Sequence, residues 1–317
     1  MLLIVSENSA GQRIDNFLFS CLKGVPKTRV YRMIRKGEVR VDSKRIDASF
    51  KLQEGQKIRI PPVRLASREF NLPPSENSSS TMVSFQKKIE IIDEKNGLLV
   101  INKPPGIAVH GGSGKSYGLI ECLRALKKQP NLQLVHRLDK ETSGLLLVSC
   151  NRLALLNLHR QLREGSVKKT YLACSQGRID AGAQFVVQKP LLRYYNKKGE
   201  RMVKIDHTGQ YAVTKIKGLQ TYKHKEYGWL SLLECRPLTG RTHQIRVHLQ
   251  SLNLPILGDK KYGAIDETFN QGFKRMFLHA WKLRFCDLGV DLKLEYVAHI
   301  PASFLKVFPD FNFSKKN

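Results

Sequence analysis

The sequence contains no stretch of about 18 apolar residues, so no membrane-spanning helix is expected. Its six cysteines (Cys21, Cys122, Cys150, Cys174, Cys235 and Cys286) lie far apart. They form no Cys-x-x-Cys pair and no Cys-His knuckle spacing, so reduced thiols are expected and a zinc site is not. His243 and His248 stand five residues apart without a carboxylate or cysteine to complete a metal site, and no metal is expected there. The segment from His110 to Ser116 ends like a phosphate loop. The glycine that such a loop needs five positions before Gly114 is replaced by Val109, so no nucleotide cofactor is expected. No repeat period is visible. The apolar residues 1–5 are followed at once by Ser6-Glu7-Asn8 and lack a basic leader, which argues against a signal peptide and for a cytoplasmic location.

Acidic residues are also scarce. Against 54 Lys and Arg stand 27 Asp and Glu, a formal net charge of +27 over 317 residues. Such an excess raises the energy of the compact state, and a polyanionic partner is the usual compensation. A basic amphipathic helix would point to an anionic membrane. Here the basic residues are spread over strands, turns and helices, which favours nucleic acid. A hydrophobic fraction of 41% is ordinary for a folded protein, and the length suggests two domains at roughly 100–200 residues each.

Residues 1–62 read as a first unit, with 13 Lys and Arg against 6 Asp and Glu. Ile14, Phe17, Leu18 and Leu22 recur at helical spacing. A second helix is predicted over 27–36, started by Pro26 and ended by Gly37. It carries Val30, Met33 and Ile34 on one face and Arg29, Arg32, Arg35 and Lys36 largely on the other. Short strands are predicted at 38–41 and 57–60. Arg13, Lys27, Arg29, Arg32, Arg35, Lys36 and Arg40 are the candidate phosphate contacts. The pieces RIDNFL at 13–18, TRVYRMIRKG at 28–37, EVRVDSKRI at 38–46 and EGQKIRIP at 54–61 resemble an S4 RNA-binding domain, with Asp42-Ser43 where that family usually has Asn-Gly. Residues 63–84, with Pro73-Pro74 and a serine run, read as a flexible linker.

From 85 to 317 the chain reads as one long unit. Strand-like runs are predicted at 89–93, 98–102, 145–149, 170–174, 211–217, 229–234 and 293–297, and helices at 118–128, 153–163 and 242–251. The two do not alternate regularly. An α+β domain with a mixed, largely antiparallel sheet follows.

The densest polar cluster is His136-Arg137-Leu138-Asp139-Lys140-Glu141, which runs directly into an apolar strand. Asp139 would therefore sit on a rigidly held turn, with Arg137 and Lys140 favouring its ionised form. On residue chemistry alone it serves equally as a reacting carboxylate or as a cap on local amides. The longer pattern HRLDKETSGLLL at 136–147 resembles the signature of the RluA family of pseudouridine synthases. It is accompanied, in the family's order, by NKPPG at 102–106, KKTYLA at 168–173 and LTGRTHQIRVHL at 238–249, with LGDKKYG at 257–263 and LHA at 278–280 beyond. The resemblance implies a pseudouridine synthase fold and a cofactor-free isomerase. It implies that Asp139 is the essential carboxylate, attacking the ribose C1′ or taking a proton from C2′. It makes Arg246 the carboxylate's partner and Tyr171 the residue against the uracil ring. Lys103, His136, Arg137 and Arg241 join the RNA-binding candidates. Within the family the chain most resembles the synthases of large-subunit (23S) ribosomal RNA. A family member with the same domains and another target helix, or a non-catalytic assembly factor, are the alternatives. A monomer is expected.

Overall fold

The computed structural model describes the chain except residues 7–8, 23, 64–88, 112–117, 264–271, 288–291 and 312–317. The chain divides into two compact units. One is Met1–Phe85 with Asn151–Leu153, and the other is Gln86–Cys150 with Ala154–Asn317. The expected linker lies, from residue 64 on, outside the described residues, as does most of the glycine-rich turn after Gly111.

In the first unit, β1 (Leu2–Ile4), β2 (Arg40–Val41) and β3 (Lys57–Arg59) form a sheet of order β1-β3-β2, antiparallel throughout. Helices α1 (Ile14–Cys21) and α2 (Lys27–Arg35) complete it. The strand β1 comes from the apolar N-terminal run that the sequence reading left unassigned. Helix α1 buries Ile14, Phe17 and Leu18; helix α2 buries Val30, Met33 and Ile34. The helical spacing of these residues builds one small core with Val39, Val41, Leu52 and Ile58. Gly37 ends α2 at φ +70°, with its N–H on the Ile34 carbonyl and the Glu38 N–H on that of Met33. This is a Schellman termination. Val41 and Lys44 exchange both backbone hydrogen bonds around Asp42 (φ +47°) and Ser43 (φ +66°). Two left-handed central residues make a type I′ turn, so the Asp-Ser pair keeps the geometry that Asn-Gly would supply.

In the second unit, the strands are β4 (Glu90–Lys95), β5 (Leu98–Lys103), β6 (Gln133–Leu134), β7 (Ser143–Ser149), β8 (Lys168–Gln176), β9 (Gln184–Gln188), β10 (Leu191–Tyr195), β11 (Arg201–Ile205), β12 (Val213–His224), β13 (Gly228–Pro237), β14 (Leu278–Cys286) and β15 (Lys293–Val297). The helices are α3 (Leu119–Leu126), α4 (Arg152–Arg163), α5 (Gln244–Gln250) and α6 (Ala302–Val307). Ten strands form one sheet along β4-β5-β7-β14-β8-β13-β12-β9, with β15 on β14 and β6 on β7. Strands β10 and β11 form a separate hairpin. The β7–β14 pairing is parallel, and the other pairs in the sheet are antiparallel. The fold is α+β, as the irregular strand and helix order implies. No helix among the described residues is long and apolar enough to cross a membrane.

The strand after the Asp139 turn is the most deeply set. All seven residues of β7 are buried, flanked by β5 and β14. At roughly 1.5–3 kcal/mol for each buried aliphatic side chain, Leu145, Leu146, Leu147 and Val148 anchor it firmly. Gly144 adopts φ +107°, and a Cβ there would overlap the Ala280 backbone. Only glycine lets β7 and β14 approach so closely at the end next to Asp139.

Candidate active site

Asp139 precedes β7 on a turn closed by the Thr142 N–H on its carbonyl, at 3.2 Å. The turn is fixed from below by Lys103, the last residue of β5. Lys103 is 0% exposed, and its ammonium donates to the carbonyls of Pro104, Ile107 and Lys140 at 2.9, 2.8 and 3.0 Å. Burial pushes its pKa down to about 7, while three carbonyls each accept one of its N–H hydrogen bonds. Lys103, expected among the RNA contacts, therefore has no atom to offer RNA. Its charge is spent inside the fold, holding the residue after Asp139. The sequence could not reveal this, because an exposed lysine is the default for that residue type.

Helix α5 supplies the second part. Residues 244–249 are all buried. The loop before the helix is locked by Gln244, whose side chain bonds Thr239, the Arg241 N–H, the Val213 carbonyl and Thr214. Arg246, 6% exposed, divides its guanidinium between two carboxylates. Nε and Nη2 grip Asp259 at 2.7 Å each, and Nη1 donates to Asp139 Oδ2 at 2.9 Å. Burial works against the Arg246 charge. The hydrogen bonds and charge of Asp259, together with Asp139, outweigh it and raise the pKa. A fork fixed at two of its nitrogens presents the third in one direction. Lys140 turns instead to Glu141, at 3.5 Å, so the cation bonded to the Asp139 carboxylate is Arg246 and not its sequence neighbour.

Asp139 and Arg246 open onto a cavity of about 730 Å³ whose walls also carry Arg137, Lys169, Tyr171 and Arg241. Tyr171 lies half-buried on β8, opposite Cys235 of β13 and Ala280 of β14. Burial, then the negative charge of Asp139, raises its pKa, so the phenol stays neutral. Burial lowers the pKa of Lys169. Arg137 is exposed at the cavity. The exposed Arg241 holds the Tyr211 carbonyl at 3.0 Å and the Gln210 side chain at 3.3 Å. His136 is engaged by its own fold: Nε2 accepts the Leu147 N–H at 3.2 Å, and the ring also bonds the Arg137 backbone. Desolvation, then the Lys169 charge, pushes its pKa down to about 3. His136 therefore brings no positive charge to RNA and acts as a strut under the loop.

Sequence reading missed Asp259. It lay in the recognised LGDKKYG segment, but its contact with Arg246 is a property of the folded loop. Gln244 and Lys103 were missed as positioning residues for the same reason. His248, paired with Thr214 and the Lys189 carbonyl, has partners different from those of His243.

In the first unit, Arg32, Arg35, Lys44 and Arg45 line a second, open cavity of about 1140 Å³. Arg32, Arg35, Lys36 and Arg40 are exposed. Arg29 lies 3.9 Å from Glu38, Arg13 is paired with Asp15, and the Lys27 ammonium sits over the Phe19 ring.

The Asp139–Arg246 pair, Tyr171 and the basic side chains of Arg137, Lys169 and Arg241 thus share one cavity. A family model described as RNA pseudouridylate synthase matches residues 97–251, and an S4 domain model matches residues 12–58. The chain is 45% identical over 300 residues to "Ribosomal large subunit pseudouridine synthase C" of Escherichia coli strain K12, covering 91% of this chain and 89% of the relative. It is 46% identical over 288 residues to the protein of that name from Pasteurella multocida, covering 90% and 85%. The solved structure of human RNA pseudouridylate synthase domain containing 1 is similar at a TM-score of 0.56 and 28% identity, covering 67% of this chain and 84% of that one. The chain belongs to the RluA family of pseudouridine synthases and carries an N-terminal S4 domain.

Proposed function

We propose that this protein converts specific uridines of large-subunit (23S) ribosomal RNA to pseudouridine, with Asp139 as the reacting carboxylate. The observation that carries this reading is the Arg246–Asp139 hydrogen bond at the cavity, with Arg246 itself pinned by Asp259. The isomerisation breaks the bond between ribose C1′ and uracil N1, turns the base, and rejoins it through C5. The C5 proton leaves and N1 gains one, so the reaction is redox-neutral. Attack on C1′ and abstraction of the C2′ proton both require a carboxylate held at one fixed place, and the arginine fork supplies that placement. Tyr171 offers the base a flat face and a hydroxyl that stays protonated. The target nucleotide must leave its stack to enter, at a cost of a few kcal/mol, and in this reading Arg137, exposed at the cavity, fills the gap or grips the backbone nearby.

The relatives whose printed names specify the large ribosomal subunit span nine-tenths of this chain, which supports the choice of RNA. In this reading residues 1–62 grip RNA through Arg32, Arg35, Lys36 and Arg40, residues 63–84 link the units, and residues 85–317 carry the chemistry as a cytoplasmic monomer without cofactor. The test is a map of pseudouridines in ribosomal RNA from cells with and without the gene. Loss of large-subunit sites is expected. An unchanged map would overturn the assignment of substrate.

A further inference from the structure

His243 stands immediately before α5 in a left-handed conformation, φ +51° and ψ +21°. Histidine there is strained by about 1–3 kcal/mol, a strain that persists where the surroundings over-determine it. The surroundings are specific. The Nδ1 atom lies 2.8 Å from the Tyr262 hydroxyl, and that hydroxyl also receives the Val203 N–H of β11 at 2.8 Å. Tyr262 is 4% exposed, and the Arg246 guanidinium lies over its ring. A phenol hydroxyl has one proton to give. The Val203 N–H already uses the hydroxyl as an acceptor, which favours donation of its one proton to Nδ1. With that donation the neutral imidazole carries its own proton on Nε2, and Nε2 lies 3.9 Å from Asp139 Oδ1. The other oxygen, Oδ2, is the one bonded to Arg246.

We propose that His243 is a positioning residue for Asp139. Its Nε2–H, fixed in that tautomer by Tyr262, orients the carboxylate oxygen that is not bonded to Arg246. A ring protonated on Nδ1 would instead set a lone pair against the carboxylate and push it away. The gap of 3.9 Å is roughly 1 Å longer than a hydrogen bond, a distance that small rotations of the two side chains close when RNA fills the cavity. Burial supports the neutral ring. It pushes the His243 pKa down to about 4 against the opposing pull of Asp139, and the charges of Arg246 and Lys261 act in the same direction as burial. The chain of contacts begins in β11, so the seating of the hairpin that carries Arg201 and Lys204 fixes the Tyr262 hydroxyl, and through it the imidazole.

This inference rests on the isomerase reading of the Asp139 cavity, and the experiment separates the two. Nitrogen-15 NMR of the free protein, with labelled histidine and the His243 signals identified by their loss in His243→Gln, reads the tautomer without any substrate. An unprotonated Nδ1 and a protonated Nε2 are expected in the wild type, with that preference weakened in Tyr262→Phe. Single-turnover tritium release from RNA with uridine labelled at C5 should be slowed roughly tenfold or more in Tyr262→Phe and His243→Ala, with RNA affinity unchanged. His243→Gln, which keeps a donor at the position of Nε2, should recover part of the loss. A proton on Nδ1 in the folded wild type, or wild-type turnover in His243→Ala, would overturn the proposal. Failure of the wild type to isomerise any ribosomal RNA would sink the functional reading, whereas the tautomer would still be read from the free protein.

Discussion

Replacing Asp259 with asparagine would remove the support of Arg246 without touching the cavity lining. Asp259 is 1% exposed, and its Oδ1 accepts from Arg246 Nη2, the Lys261 N–H and the Tyr262 N–H. An asparagine oxygen can keep those three. The amide nitrogen then replaces Oδ2 and faces the Arg246 Nε–H, donor against donor. A hydrogen bond of 2.7 Å is lost, and a guanidinium 6% exposed keeps only Asp139 as a counter-charge. Breaking a buried ion pair from one side costs about 3–5 kcal/mol, and the retained bonds place this substitution near the lower end, about 3 kcal/mol. The catalytic effect follows from geometry. An arginine no longer held at two nitrogens lets the Asp139 carboxylate drift, and a misplacement of about 1 Å costs on the order of a hundredfold in rate. Urea unfolding and single-turnover tritium release read the two quantities. An Asp259→Asn protein with the wild-type urea midpoint and the wild-type rate would refute the claim that Asp259 aims Arg246.

Burial pushes the pKa values of His136, His243 and His279 down to about 3, 4 and 3. Their unfolded values lie near 6.5, so the unfolded chain binds more protons in this window. Their contribution is fully present above about pH 6.5 and is lost as pH falls towards the folded values, each adding up to about 1.4 kcal/mol per pH unit. The urea midpoint should therefore drop between pH 7 and pH 5, and a constant midpoint would contradict the neutral burial of these rings. In the type I′ turn, Ser43→Gly relieves a left-handed residue and should stabilise the first unit by up to about 1 kcal/mol, read as a raised melting temperature. Deleting residues 1–62 removes a net charge of +7, from 13 basic and 6 acidic residues. Filter binding to ribosomal RNA should weaken and its salt dependence flatten, with slow turnover persisting at high RNA concentration.

Much of this architecture was legible as periodicity. The basic helix α2 announced itself through Val30, Met33 and Ile34, and β7 through its unbroken apolar run after a polar turn. The strand β14 went unassigned, its first residues Leu278-His279-Ala280 standing out only as part of the family pattern, although it runs to Cys286 between β7 and β8. Its Lys282 and Arg284 interrupt the apolar pattern, so a strand in the interior of the sheet looked polar. The strand β9 went unassigned because it has exposed apolar residues, and the β10–β11 hairpin shows in the sequence mainly as the basic turn at 197–203. At the site, Asp139, Tyr171 and Arg246 stood in recognisable motifs. The residues that aim them did not, because Asp259, Lys103 and Gln244 act through contacts between loops distant in sequence.

Asp139→Asn separates the chemistry assigned to Asp139 from the binding assigned to the basic surface. The substitution preserves shape and removes the charge that attack or proton abstraction needs. Single-turnover tritium release from RNA labelled at uridine C5, measured beside filter binding to the same RNA, should fall by more than roughly a thousandfold while affinity stays close to wild type. An asparagine variant that releases tritium at near the wild-type rate would contradict the account.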